Sequence, residues 1–420
     1  MTQRGEKQRS MKGIGRTLCV VSMAAVAACS TTHTEVQDQS AIRYRAALEI
    51  CVKGDRAVPS GVDHIIQACT TIVDSDTAPV ADRVEALKMR AGLYYDAGRY
   101  DEAIKDYTEE LRIGPQDSVA LRFLGDAYRH KGKCDAAVVD YDQAIRLNPK
   151  FGDAIEGRGD ALMCMKDDAR AVDDYSQAIL LTPRRADLYT KRGTAYAQSG
   201  NAAKAIEDFS ETIQLRPRDG AAYLARGGIY LAQAQYQEAL QDLDNAVQLS
   251  PGSADAFDRR GFAHLYRQDY DAAVRDFDRT IQLAPKRADA FAGRGSAYMR
   301  ENDYASAIED YSRAIRLDPA FATAYEHRAN VYSQKGDYER AIQDYSQAIR
   351  LDSGLTSAII GRGDAYLNRG QYDLAIQDYD HAVQLDPTNE QVLRHRHQAR
   401  LEKVKQDSAR TISIEATAPK

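Results

Sequence analysis

The sequence holds no Cys-x-x-Cys pair, no glycine-rich phosphate loop and no serine elbow, and its eight histidines are scattered. These absences remove the usual footholds for zinc or redox chemistry, nucleotide hydrolysis and acyl transfer. His395 and His397 stand close together, but two histidines alone make a poor metal site. No catalytic residue, metal or cofactor is expected. An excess of positive charge is also missing: 56 Lys+Arg against 62 Asp+Glu leave a net charge of −6, with the signs interspersed. Such a surface does not neutralise phosphates, so a nucleic-acid partner is not expected. The apolar run Leu18–Ala27 is too short to cross a bilayer. With 44% hydrophobic and 28% charged residues, the chain has the composition of a soluble protein with an ample core.

What the chain does have is a period. Pro115, Pro149, Pro183, Pro217, Pro251, Pro285, Pro319, Ser353 and Pro387 are each 34 residues apart. Counting back 31 residues from each sets out nine uninterrupted units over Val84–Asn389. The eighth residue of each unit is glycine or alanine and the twentieth is always alanine, from Ala103 to Ala375. The eleventh and twenty-fourth are mostly tyrosine, as in Tyr94 with Tyr107 and Tyr298 with Tyr311. Small residues let two helices approach while large rings fill the space beside them. Ala341, Ile342, Tyr345, Ala348 and Ile349 show the three-and-four spacing of an amphipathic helix. Gly98, Gly132, Gly200 and Gly336 mark a break between two helices, and the proline stops the second. Each unit therefore reads as a helix–turn–helix with helices of about 21 Å. A period of this length marks a stacked array that presents an extended surface to other chains.

Arginine recurs at the seventh position in eight units, at Arg90, Arg158, Arg192, Arg226, Arg260, Arg294, Arg328 and Arg362. Aspartate holds the twenty-third in all nine, from Asp106 to Asp378. In an antiparallel pair these offsets lie at one height, which predicts a ladder of ion pairs. Whether each aspartate serves its own unit or the next is left open by the spacing. A site is needed once and not nine times, so the ladder is architecture.

The order of small residue, aromatic, alanine, aromatic and proline over residues 84–389 resembles the tetratricopeptide repeat family. The resemblance implies an all-α, right-handed superhelical solenoid. His264 in place of an aromatic, Ser353 in place of proline and the arginine at the seventh position depart from the general pattern. In that family the second, fifth, ninth, twelfth and thirteenth residues of a unit line the concave face and bind proteins or peptides. Carried onto this chain, the resemblance implies a groove with Arg122, Asp126, Arg129 and His130 in repeat two and acidic Asp153, Glu156 and Asp160 in repeat three. Repeats five and six would present Leu224, Leu231, Phe262, Leu265 and Tyr266 as an apolar patch. The family's carboxylate clamp needs lysine and asparagine at the fifth and ninth positions. Lys88 is followed by Gly92, so an acidic chaperone-type tail is not implied.

Residues 1–28 read as a targeting signal, with a net charge of +4 from Arg4, Lys7, Arg9, Lys12, Arg16 and Glu6. Met11 could serve as the start without losing it. The signal ends in Val26-Ala27-Ala28-Cys29, which resembles the lipobox of bacterial lipoproteins, where the cysteine carries lipid. Simple cleavage near Ala28 is the alternative. Lipidation would anchor the chain at the periplasmic face of the cell envelope. Ser30 in place of aspartate points to the outer membrane; simple cleavage would leave a soluble periplasmic protein. Removing the signal takes the net charge from −6 to −10. Export pairs the remaining cysteines in the reading adopted here, Cys51 with Cys69 and Cys134 with Cys164, against the alternative of free buried thiols. Residues 29–40 read as a flexible tether and 41–83 as a degenerate helical pair. Residues 390–406 read as a charge-rich capping helix and 407–420 as a disordered tail. The functional expectation is a scaffold holding partner proteins in its groove, with self-association open. An assembly or pilotin-like factor for pili, secretins or outer-membrane proteins, and an adaptor for peptidoglycan enzymes, are the alternatives.

Overall fold

The computed structural model describes residues 42–54 and 59–417. The signal, Cys29 and the tether lie outside the described residues. Every regular element among the described residues is an α-helix, and the chain divides into two compact units, Met1–Leu181 and Thr182–Lys420. The first holds α1 (42–53), α2 (Pro59–Val73) and three hairpins. These are α3 (Val80–Asp96) with α4 (Tyr100–Ile113), α5 (Ser118–His130) with α6 (Cys134–Leu147), and α7 (Gly152–Cys164) with α8 (Asp168–Leu181). In the second unit come α9 (Ala186–Gln198) with α10 (Ala202–Leu215), α11 (Gly220–Ala232) with α12 (Tyr236–Leu249), and α13 (Ala254–Tyr266) with α14 (Tyr270–Leu283). They are followed by α15 (Ala288–Arg300) with α16 (Tyr304–Leu317), α17 (Ala322–Gln334) with α18 (Tyr338–Leu351), α19 (Thr356–Asn368) with α20 (Tyr372–Leu385), and α21 (Glu390–Thr417). Within each unit successive helices pack on one another, and first helices of adjacent repeats also touch, as α5 does α7 and α13 does α15. Each unit is thus a solenoid of stacked hairpins.

The turn between the two helices of a repeat is a left-handed cap. Residue fifteen has φ between 57° and 78° in all nine repeats. Five of these residues are glycine; Lys166, Ala234, Gln268 and Asn302 hold the same conformation. For them the sterics cost about 1 kcal/mol each, offset by the hydrogen bond from residue sixteen back to residue eleven, such as Arg99 N–H to the Tyr94 carbonyl at 2.8 Å. The recurring alanine at position twenty is fully buried in every repeat, beside the ring at position twenty-four. The close approach needs the glycines: a Cβ at Gly159 would lie 2.8 Å from the Tyr175 ring. A second constraint, invisible in the sequence pattern, is at position six, where a Cβ on Gly157 would come within 2.6 Å of Tyr141 from the preceding repeat. The Tyr141 ring, and likewise that of Phe277 between Gly261 and Gly293, is thus held between its own repeat and the next.

The ladder exists, and Arg158, Arg226, Arg260, Arg294, Arg328 and Arg362 each serve two repeats. Arg294 Nε and Nη2 grip both oxygens of Asp310 in its own repeat at 2.8 and 2.7 Å, while Nη1 reaches Asp278 on α14 of the preceding one at 2.5 Å. Arg260 does the same with Asp276 and Asp244, and Arg328 with Asp344 and Ser312. The rungs continue into the ends, where Arg90 donates to Thr70 on α2 and Arg396 of α21 to Asp380. Repeat two breaks the series, because Leu124 takes the arginine position. Its aspartate, Asp140, is left with a buried Oδ2 that has no hydrogen-bond partner, and burial pushes its pKa up to about 7. The sign follows directly. Between about pH 4 and 7 the folded chain keeps a proton that the unfolded chain releases, so Asp140 destabilises unit one increasingly as pH rises through that window. Asp140→Asn is expected to stabilise the first unit by about 2 kcal/mol at pH 8 and by little at pH 4, measured by urea unfolding at both values. An equal gain at the two pH values would show that charge burial is not the cause.

Two boundaries shift from the sequence reading. α3 begins at Val80, capped by Pro79, rather than at residue 84. α21 runs to Thr417 and so includes most of the stretch read as a disordered tail. No glycine or proline interrupts 390–417, and a helix already nucleated by packing extends at little cost without needing an apolar stripe.

Candidate functional site

Within unit one, α5 and α7 bring the predicted polar residues together, but largely to satisfy one another. Arg122 pairs with Asp126 at 3.0 Å, lies 3.9 Å from Asp153 and sits 4.0 Å over the Phe123 ring. Asp126 accepts the Tyr141 hydroxyl at 2.5 Å, and Asp160 that of Tyr175 at 2.9 Å. Burial raises the Asp126 carboxyl above the usual range, against the opposing pull of the Tyr141 hydroxyl and Arg122. Arg129 is half-buried within electrostatic reach of Tyr141, Asp160 and Asp126; Glu156 is half-buried, and Asp153 and His130 are exposed. Asp126 and Asp160, expected along the groove, both accept hydroxyls of the core rings. Lys88 is likewise committed, to Asp117 at 2.7 Å and Glu110 at 3.8 Å.

In unit two the apolar patch is also corrected. Leu224 and Leu231 pack on the cluster of Leu240 and Leu243, and Phe262 and Leu265 on that of Phe277. Only Tyr266, 55% exposed and stacked 5.6 Å from Tyr236, remains open. Packing on the second helix of their own repeat draws these side chains inward, since apolar area gains more from burial than from display.

A wide recess lies in repeats seven to nine, with a volume of about 930 Å³. Its wall is built from the inner positions: Met299, Arg300, Glu326, Asn330, Ser333, Gln334, Ser357, Ile360, Asp364 and Asn368 all sit at the second, fifth, ninth, twelfth or thirteenth place of their units. Tyr345 forms part of the lining, over Gly361, where a Cβ would meet the ring at 2.5 Å, and its hydroxyl donates to Asn330 at 2.6 Å. Burial first of all pushes that hydroxyl up to about 12, so it remains a donor. Asp364 accepts from Tyr379 at 2.6 Å and contacts His395 Nδ1 of α21 at 2.8 Å. The recess thus offers a cation, carboxylates, amides and hydroxyls in one concavity, the mixture that hydrogen-bonds an extended main chain. Sequence reasoning singled out other repeats, although the same five positions applied here would have found it.

A smaller recess of about 450 Å³ spans repeats four to six, lined by Ala197, Ala202, Phe209, Ala225, Ile229 and Ala232 among others. Among the described residues, Cys51 is bonded to Cys69 and Cys134 to Cys164, with Cα separations of 5.0 and 6.3 Å. Among the described residues no group of three or more His, Cys, Asp and Glu could hold a metal ion, and no helix is long and apolar enough to cross a membrane.

Comparison with known proteins agrees with this geometry. The family profile described as TPR repeat matches residues 125–166, 295–336 and 363–404. Two profiles described as tetratricopeptide repeat match 322–355 in one case and 70–118 with 190–254 in the other. No curated protein matches the sequence. Among solved structures, a tetratricopeptide repeat protein from Parabacteroides merdae ATCC 43184 is 19% identical, with a TM-score of 0.50 over 59% of this chain and 98% of its own. The Cut9–Hcn1 hetero-tetramer of the APC/C is 14% identical over 89% and 86%, with a TM-score of 0.49. Yeast Tom70 is 16% identical over 92% and 91%, with a TM-score of 0.43. At such identities the likeness is one of fold. The profiles jointly match more than half of the residues, in the register of the 34-residue period and on the hairpins seen in both units: the chain belongs to the tetratricopeptide repeat family, whose repeats form scaffolds for protein and peptide partners.

Proposed function

We propose that this chain is a non-catalytic scaffold that holds extended segments of partner proteins against the first helices of its repeats, at the periplasmic face of a bacterial cell envelope. The observation that carries the binding role is the 930 Å³ recess, whose wall is made of the inner positions. Packing holds positions eight, twenty and twenty-four small, alanine and mostly aromatic, whereas the inner positions vary from repeat to repeat. The envelope location is supported by the basic start leading to Ala28-Cys29 and by two disulfides, which persist in oxidising compartments.

A photo-crosslinking amino acid at Gln334, in the recess, and at Gln343, exposed on α18 of the same repeat, tests the binding role in cells. Discrete adducts from Gln334 and none from Gln343 are expected; equal yields, or none from either, would overturn the reading. The mass of the adduct separates self-association from a foreign partner. Metabolic labelling with an alkyne fatty acid is expected to mark the wild type and not Cys29→Ser.

A further inference from the structure

The hydroxyls that floor the other grooves are missing from repeats four to six. Position twenty-four is tyrosine where its hydroxyl meets position nine, as in Tyr175 with Asp160, Tyr345 with Asn330 and Tyr379 with Asp364. In repeats four, five and six that position is Phe209, Leu243 and Phe277, all buried. Ala202 also stands where six other repeats carry tyrosine at position seventeen, and Gly228 takes the ninth position of repeat five. Of these residues, Phe209, Ala202 and Gly228 line an apolar recess of about 450 Å³.

Arg259 stands at its edge. Its side chain is exposed and has no hydrogen bond or ion pair among the described residues. The guanidinium lies where only a glycine leaves room, with Nη1 2.0 Å from the place of a Cβ on Gly228. Of the acids near it, Asp255 pairs with Arg287 at 2.5 Å, and Asp258, 3.4 Å from the same guanidinium, is within electrostatic reach of Arg259 without a hydrogen bond to it. A ligand filling the recess with apolar atoms would strip water from this unpaired cation, which is favourable only if the ligand brings a negative charge.

We infer that this recess takes one large apolar side chain from an internal segment of a partner protein that carries an acidic residue within two positions of it, the carboxylate pairing with Arg259. The inference rests on the scaffold reading and names the chemistry of its partner. Gln198 and Gln233 at the rim can hydrogen-bond the main chain on either side of the anchor.

The test uses the full chain as bait for displayed random dodecapeptides closed at both ends by Gly-Ser linkers. Enriched sequences are expected to pair Phe, Leu, Met or Tyr with a nearby Asp or Glu. Arg259→Glu should move the second preference to Lys or Arg, and Arg259→Gln should weaken an enriched acidic peptide about tenfold in fluorescence anisotropy. Ala225→Phe fills the recess and should abolish the apolar preference. It should also fold, because Phe123 occupies the same position in repeat two, stacked 5.9 Å from Tyr107. Enrichment that ignores both changes, no apolar anchor, or binding only of peptides with a free terminal carboxylate would each overturn the inference. Crosslinks persisting at Gln334 in that case would leave the scaffold reading standing, whereas their absence too would remove both.

Discussion

Replacing Arg294 with alanine is expected to cost about 3 kcal/mol of local stability around α14–α16, the loss typical when one partner of a buried pair is removed. Asp310 is only 4% exposed, and the arginine is the group that meets both its oxygens. Without it a desolvated carboxylate stays behind, and the link to Asp278 of the preceding repeat is cut as well. Removing the carboxylate along with the cation should undo most of the damage, so Arg294→Met with Asp310→Leu is expected to recover all but about 1 kcal/mol. Hydrogen exchange of α14–α16 amides reads the effect without assuming that the whole array unfolds at once, which repeat proteins often do not. A loss below about 1 kcal/mol for the single variant would mean that the rung behaves as an exposed pair. Repeat two already shows the molecule living with the gap: there the arginine is Leu124 and the orphaned Asp140 holds its proton to near neutrality.

Cys134→Ala with Cys164→Ala is expected to lower the stability of α5–α8 by about 3 kcal/mol, from the lost constraint on a loop of this length in the unfolded chain. The bond joins α6 of one repeat to the end of α7 in the next, 30 residues apart in sequence. Cys134 is buried and Cys164 exposed, so a reductant reaches the bond from the Cys164 side. Reduction of the wild type should reproduce the loss in exchange protection of α5–α8, together with a separate loss in α1–α2 from the Cys51–Cys69 bond. Protection unchanged on reduction would show that repeat packing alone holds this unit together.

How much of this was legible depends on how local each feature is. The hairpin is repeated nine times and the arginine of the ladder eight times, and repetition separates them, with the close contacts of small residues and rings, from noise. The role of Gly157 was not legible, because the ring it accommodates belongs to the preceding repeat and position six is not constant: Phe123, Arg259 and His327 also occupy it. Nor was the fate of Asp126 and Asp160, which count as groove acids by position and as hydroxyl acceptors by contact. The left-handed turn at Lys166 was hidden for the opposite reason, since a lysine gives no signal for a conformation imposed by the helices on either side.

By itself the sequence determined what depends on spacing along one chain: helix lengths, breaks and the period. Those follow from the pitch of the helix and the restricted torsions of glycine and proline, which each residue carries wherever it goes. Only the tertiary structure decided which carboxylates are consumed, that arginines such as Arg260 and Arg294 span two repeats, and which inner positions stay open as recesses. Those outcomes turn on the height and rotation of neighbouring helices, where a fraction of an ångström separates a hydrogen bond from a free group.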